Sequence, residues 1–451
     1  MTDLRPVDVD FPTKENICLP PLPWLTFAVV AGIRARQTLA SASSSADNSF
    51  GFLRLMFAFA VLVSHSLPIG FGADDPGGAL TNGQTALGEI AILGFFVISG
   101  FLITRSGTRA PVLRYLWHRG LRILPGLWVC LVVTAFGFAP VVSLWERGTL
   151  HGLFSDSDGP FQYVLSNSFV AIWQYGISDL LLDTPYGQRT GTSVVNGSLW
   201  SLIYEVFCYL LVAGLAAVGV LRRARWLVAI LALAGAGVMM HDLLRAPEIP
   251  GPQGVHGPIF GVDGLDSYSL VYLTYVFLLG AVCQLYRERI VLHDGLAVAA
   301  AAVVVATTQF GAFAVLGYPA FAYLVLWLAV RLPRWTRRIG RKHDYSYGFY
   351  IYAFPVQQLL ALMDVPRLGL VAYIASCTIA TVALAVASWH VVERPAMALK
   401  AWSPRRRDTT TGVRPLATAR RGPRPDTEKM PAAVGADQAT TVRPPATRHR
   451  G

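Results

Sequence analysis

Runs of about 20 mostly apolar residues recur through the middle of this chain, the length an α-helix needs to cross a ~30 Å hydrocarbon layer. They are read at 50–68, 85–104, 123–142, 198–220, 226–243, 267–286, 290–309, 312–330, 345–363 and 368–390. In lipid, every backbone N–H and C=O must find its partner within the spanning element, so runs of this kind are expected as helices. The expected fold class is therefore all-α: a polytopic membrane helical bundle of about ten transmembrane helices. Composition agrees, because 53% of the 451 residues are hydrophobic and only 14% charged, against roughly 25% charged in soluble domains.

The loops supply an orientation. Residues 105–122 hold Arg105, Arg109, Arg114, Arg119 and Arg122 and no acid, which marks that loop as cytoplasmic. Counting onward, alternate loops are again basic: Arg222, Arg223 and Arg225; then Arg287 and Arg289; then Arg331 through Lys342. The loop 69–84 has Asp74 and Asp75 and no Lys or Arg. Ten spans with both termini cytoplasmic satisfy this pattern. The net charge is +11, and residues 401–451 contribute eleven Arg/Lys against four Asp/Glu. That excess reads as basic loops and tail facing an anionic leaflet; no soluble domain is present to bind nucleic acid.

Three regions follow. Residues 1–49 form an N-terminal cytoplasmic or interfacial segment with a Ser-rich linker at 41–49; its apolar stretch 17–33 is broken by Pro20, Pro21 and Pro23 and makes a poor signal peptide. Residues 50–395 form the membrane domain. Residues 396–451 form a basic tail, too poor in large apolar side chains to fold on its own. Residues 161–178 are apolar enough to suggest another span, but that would put Arg222, Arg223 and Arg225 outside, so they are read as interfacial or re-entrant. Four of the five cysteines (Cys130, Cys208, Cys283 and Cys377, but not Cys18) fall in expected spans, and no CxxC, HExxH or Cys/His cluster suggests a metal.

Ionisable groups within spans are costly and mark functional sites. Arg54 and His65 lie eleven residues apart in the first span, about 16 Å along a helix and on nearly one face. Arg54 could snorkel to headgroups and His65 could be a satisfied helix-end histidine. Glu205, seven residues into the fourth span, is expected in the same outer half of the bilayer as His65, where a carboxylate would orient the imidazole of a general base; a Glu bonded to a neighbouring helix is the plain alternative. Glu89, in the second span, is a third candidate. His390 and Glu393 are expected at headgroup level. Arg119 and Arg122 share a helix face and could clamp phosphates or simply anchor the helix. His151 and Asp156 show an HxxxxD spacing, which a single loose match in an outer loop does not support. Buried Arg, His and Glu would also suit a proton-coupled transporter or flippase, although no internal repeat is visible.

Read in order, several segments resemble the acyltransferase 3 family of bacterial integral-membrane O-acyltransferases. Arg54 and His65 match its Arg-x10-His pairing, and Phe95 to Thr104 its FFVISGFLIT segment. Arg119-Gly120-Leu121-Arg122 with Pro125 matches RxxR, and Trp200-Ser201-Leu202 with Glu205 matches WSLxxE. Ser346 to Tyr352 resembles SYSLYLW, and Glu393-Arg394-Pro395 matches ERP. The match covers about 50–395. Departures are Leu93 where the family often has Asp, with Glu89 one turn earlier, and Ala353 where it often has a second His.

The resemblance implies a multi-pass protein of the bacterial inner membrane that moves an acyl group, acetyl above all, from acyl-CoA to a hydroxyl of a carbohydrate or glycolipid acceptor, with no permanently bound cofactor. It implies His65, Glu205 and Arg54 as catalytic residues and Arg119 and Arg122 as acyl-CoA ligands, with Glu89, Ser99, Trp200 and Tyr350 in support. Modification of a surface or exported glycan and acylation of a secreted small molecule such as a macrolide both remain open.

Overall fold

The computed structural model describes residues 37–43, 47–245 and 266–401. The stretch 17–33 and the tail beyond Ala401 lie outside the described residues. Ten principal helices are found among them: α1 Phe50–Phe71, α2 Leu87–Gly107, α3 Val112–Arg147, α4 Gly197–Ala217 and α5 Trp226–Arg245, then α6 Ser267–Leu285, α7 Asp294–Phe310, α8 Phe313–Arg331, α9 Ser346–Leu362 and α10 Leu370–Ala401. Eight are long and apolar enough to cross a membrane; α7 and α9, of 17 residues each, fall short of that length. No strand occurs among the described residues beyond an isolated bridge between Thr38 and Val291. The protein is a polytopic helical membrane bundle.

Several boundaries depart from expectation. α3 runs for 36 residues, about 54 Å and well beyond one bilayer core, so Arg114, Arg119 and Arg122 sit on a continuous helix rather than in a loop. A π-turn at Thr134–Phe138 adjusts its course. Within 161–178 the only helix is the tail of a short one, Pro160–Asn167, whose 8 residues cannot cross. α10 passes through a second π-turn at Trp389–Glu393 before Pro395.

The basic loops gather at one end of the bundle. Arg222 donates to the Thr108 carbonyl, Arg225 to that of Leu285, and Arg105 to that of Ser43. There too Gly340, at a φ of 73° that suits glycine, sits against Gly51, where a Cβ would come within 2.8 Å of its Cα. The opposite end is tied by Asn82 of the loop before α2 to Gln309 at the end of α7, and by an ion pair of Arg189 with Asp74. The charge alternation along the chain is thus a spatial segregation as well.

Two features organise the interior. α2 and α6 cross so closely that a Cβ on Gly100 would lie 2.0 Å from the Phe277 carbonyl oxygen, and one on Gly280 2.2 Å from that of Val97. In lipid such backbone approach replaces the hydrophobic drive between helices. α9 is the central post, buried along almost its whole length. The amide nitrogens of its two glutamines find neighbours: Gln357 donates to the Leu62 carbonyl at 2.8 Å, and Gln358 to that of Val194 at 2.8 Å. Those glutamines are also why so deeply buried a helix reads as less apolar than the others.

Replacing Gly100 with Ala should force α2 and α6 apart and lower stability by ~3 kcal/mol, read as a fall in thermal midpoint in detergent. Gly214→Ala, on α4 where an added Cβ meets nothing within 4 Å, should be neutral or slightly stabilising.

Candidate active site

At the basic end, four charges from distant parts of the chain meet. Arg54 on α1 and Arg122 on α3 each approach Asp344 Oδ2 at 2.7 Å, and Arg122 reaches Glu393 of α10 at 3.1 Å. Glu393 is 2% exposed and also accepts from Ser388 at 3.2 Å. Asp344 precedes α9 and accepts from the Ser346 hydroxyl at 2.6 Å, while the Arg122 guanidinium lies 5.5 Å from the Tyr347 ring centroid. Burial alone would raise the Asp344 pKa; the Arg122 and Arg54 guanidiniums overcome that and hold it well below the ordinary carboxylate range. Arg54 is thus no snorkelling residue, and Glu393 is a buried ion-pair partner.

Arg119, one turn before Arg122, is not committed in this way. Its guanidinium lies 5.8 Å from the Tyr209 ring centroid. Its Nε is buried without a hydrogen-bond partner, and no ion pair holds it among the described residues. Of the two arginines of the RxxR motif, Arg122 is held by two carboxylates and Arg119 is available.

Glu205 accepts from Ser99 of α2 at 3.0 Å and from Tyr209, one turn on, at 2.6 Å. It lines a narrow cleft of about 40 Å³ with Arg54, Phe95, Ser99, Ser201 and Tyr350. The expected partnership of Glu205 with His65 in the outer half of the bilayer is not found. Tyr350, one turn into α9 from the ion cluster, donates to the Ser198 carbonyl and bonds Ser201, both at 2.6 Å. The Asn196 side chain donates to the Ile351 carbonyl at 2.9 Å. The chain therefore enters deep as an irregular segment and begins α4, with a 3₁₀ turn at Gly197–Ser201, beside the ion-cluster end of α9. One turn further, Glu205 stands level with Arg54, whereas His65 lies about 16 Å along α1 from Arg54.

His65 meets the Phe354 ring edge-on, centroids 5.3 Å apart. Its Nδ1 is buried with no hydrogen-bond partner, and no residue among those described orients the ring by a hydrogen bond. Tyr186, from the long loop after α3, contacts the same Phe354 at 5.8 Å. Nearer the end opposite the basic loops, Ser64 donates to Asp75, whose carboxyl is pushed up by burial. Glu89 accepts from Thr85 at 3.1 Å in the first turn of α2, apart from the Arg54 cleft. Trp200 packs on Tyr204 at 5.7 Å. Sequence reasoning missed Asp344 and Tyr209. Asp344 had a visible signal: it is the sole acid within 331–345, directly before the Ser346 motif. Tyr209 had none.

A bundle of apolar helices that encloses arginines, carboxylates and the histidine His65 marks a functional membrane protein rather than a scaffold. The acyltransferase domain family model matches residues 47–390, and the chain belongs to that family, acyltransferase 3. It is 26% identical to an O-acetyl transferase of Shigella phage Sf6 over 77% of this chain and 95% of that protein. It is 28% identical to Nodulation protein 10 of Rhizobium leguminosarum bv. viciae over 79% of this chain and 95% of that one. No solved structure matches. The protein is therefore an O-acyltransferase, transferring groups other than amino-acyl groups, and the transporter reading falls away.

A folded-state pKa depressed below the unfolded one contributes stability that is complete above about pH 4 and is lost as pH falls through the depressed value. Asp344→Asn should cost on the order of 3 kcal/mol at neutral pH by leaving two guanidiniums underpaired, and should flatten the decline below pH 4. Thermal midpoints in detergent between pH 3 and 7 check both. Arg122→Ala should destabilise comparably, whereas Arg119→Ala should leave stability within about 0.5 kcal/mol of wild type.

Proposed function

We propose that this protein is a multi-pass O-acetyltransferase of the bacterial plasma membrane that moves an acyl group from acyl-CoA, acetyl-CoA above all, to a hydroxyl of a surface or exported glycan. The observation that carries the reading is the separation along α1. Arg54 lies among charges at the basic end, and about 16 Å away His65 presents an imidazole with no hydrogen-bond partner. A donor arriving from the cytoplasm and an acceptor arriving from outside can meet across that span.

The positive-inside bias assigns the basic end to the cytoplasm. Arg119 is the cation free to take donor phosphates, with Arg54 at the cleft mouth. Glu205 acts as a positioning residue: it holds the Tyr209 hydroxyl, and the Tyr209 ring supports the Arg119 guanidinium. The pantetheine arm then rises past Ser99 and Tyr350 toward His65. His65 takes the proton of the acceptor hydroxyl as that oxygen attacks the thioester carbonyl. The C–S bond breaks, and the imidazolium returns the proton to the departing CoA thiolate. General-base assistance of this kind contributes about 10²–10⁴-fold. The O-acetyl transferase relative supports acetyl as the group moved; acylation of a secreted small molecule would use the same machinery with a different acceptor.

In inverted membrane vesicles given labelled acetyl-CoA and cell-envelope glycan, the wild type should label glycan and His65→Ala should lose at least ~10²-fold of that rate at equal abundance. Equal labelling by both would remove His65 from the mechanism. Arg119→Ala should weaken acetyl-CoA binding about tenfold by loss of one phosphate contact, while Tyr209→Phe, which keeps the ring but frees Glu205, should weaken it less. Unchanged affinity in Arg119→Ala would dismiss the donor assignment.

A further inference from the structure

The loop between α3 and α4 folds into a cleft of about 770 Å³ that the catalytic machinery does not use. Trp173 and Tyr175 stand at it, 48% and 42% exposed, with Gln162, Gln174, Asp158 and Asp179 around them. We infer that this cleft is the acceptor subsite, and that it takes an uncharged or amino-bearing carbohydrate rather than an anionic one. The inference rests on the O-acyltransferase reading above.

Four observations carry it. First, the cleft is built rather than collapsed. The buried Asn167 side chain accepts from the Trp173 and Gln174 amides at 2.9 and 3.2 Å and donates to the Gln174 carbonyl at 2.8 Å. Glu146 clamps the Leu181 amide through both oxygens, at 3.1 and 3.2 Å. Second, Val170, Ser178, Asp179 and Leu181 all hold positive φ, between 48° and 76°. For non-glycine residues this is strain, and its concentration in one loop marks a surface whose shape is being imposed.

Third, the polar groups have the chemistry of hydroxyl recognition. The Gln174 amide nitrogen is spent on the carbonyls of Asp158 and Gly176, at 2.7 and 3.0 Å, which aims its Oε1; that atom is buried with no partner. A buried acceptor without a donor is costly, and a small shift of the Gln174 side chain would bring it to the cleft surface, where a hydroxyl could donate to it. The two aromatic rings offer flat apolar faces for the C–H face of a pyranose, while two carboxylates accept from its hydroxyls. Among the described residues no Lys or Arg lines the cleft, and the Arg147 guanidinium behind its wall is spent on the Ser178 carbonyl, so a uronic acid, sialic acid or phosphate would face Asp158 and Asp179 with no cation directed at it. Fourth, the wall of the cleft packs toward the histidine. Val194 lines it, and three residues on Gly197 abuts Phe354, where a Cβ would lie 2.8 Å from the ring that also edges His65.

The test is binding, read separately from transfer. Full-length protein in lipid nanodiscs is titrated with three tetrasaccharides, of glucose, glucosamine and galacturonate, and followed by saturation-transfer difference NMR. Wild type and His65→Ala should both give signals from the glucose and glucosamine oligomers, and little from the galacturonate. Trp173→Ala should cut those signals at least fivefold with an unchanged thermal midpoint. Phe169→Ala, an exposed ring of the same loop outside the cleft, should not. Galacturonate binding as strong as the others, no binding by any oligomer, or signals indifferent to Trp173→Ala would overturn the inference. Loss of sugar binding in Trp173→Ala with His65-dependent glycan labelling at wild-type KM would overturn the cleft while leaving the enzyme assignment standing. Sugar binding without any transfer activity would do the reverse.

Discussion

The arrangement depends on one buried ion cluster. Each charge placed away from water costs several kcal/mol unless it is paired and hydrogen-bonded. Arg54, Arg122, Asp344 and Glu393 meet that cost together, two positive against two negative, with Ser346 and Ser388 completing the carboxylates. They come from α1, α3, the residue pair before α9, and α10. Satisfying them requires those four segments to be at fixed relative depth. That requirement sets the position of α9, and through Tyr350 and its bonds to Ser198 and Ser201 it sets where α4 begins. Glu205 reaches the cleft because of this chain of contacts.

The consequence is a division of labour along α1. One end of that helix is committed to charge, and the other presents an imidazole edged by Phe354 beneath the long loop after α3. In the proposed reaction, a donor from one side of the membrane and an acceptor from the other would use that division. The RxxR pair is split in the same spirit, with Arg122 spent on structure and Arg119 left with an unpartnered Nε beside Tyr209.

The remainder of the bundle follows the economy of lipid. α2 and α6 touch backbone to backbone through Gly100 and Gly280, and the FFVISGFLIT run thereby serves two ends. Gly100 admits α6, and Ser99, one residue before it, turns to Glu205. α9 tolerates Gln357 and Gln358 at the centre of the bundle because neighbouring carbonyls receive them.

The polytopic helical character, the apolar runs, the segregation of basic loops to one end and the membership of Arg54, His65, Arg119, Arg122 and Glu205 in a shared set of motifs were all determined by the sequence alone, although of the ten spans expected eight described helices are long and apolar enough to cross. Each is a linear property: the length of an apolar run, the sign of a loop, the spacing of a motif. Only the tertiary structure decided which acid meets which base. That Asp344 joins Arg54 to Arg122, that Glu393 is buried, and that Glu205 sits with Ser99 and Tyr209 instead of with His65 depend on how deep each helix is set and how it is rotated. Hydropathy is nearly blind to both, because a run of apolar residues can slide or turn in lipid at little cost until its few polar groups find partners.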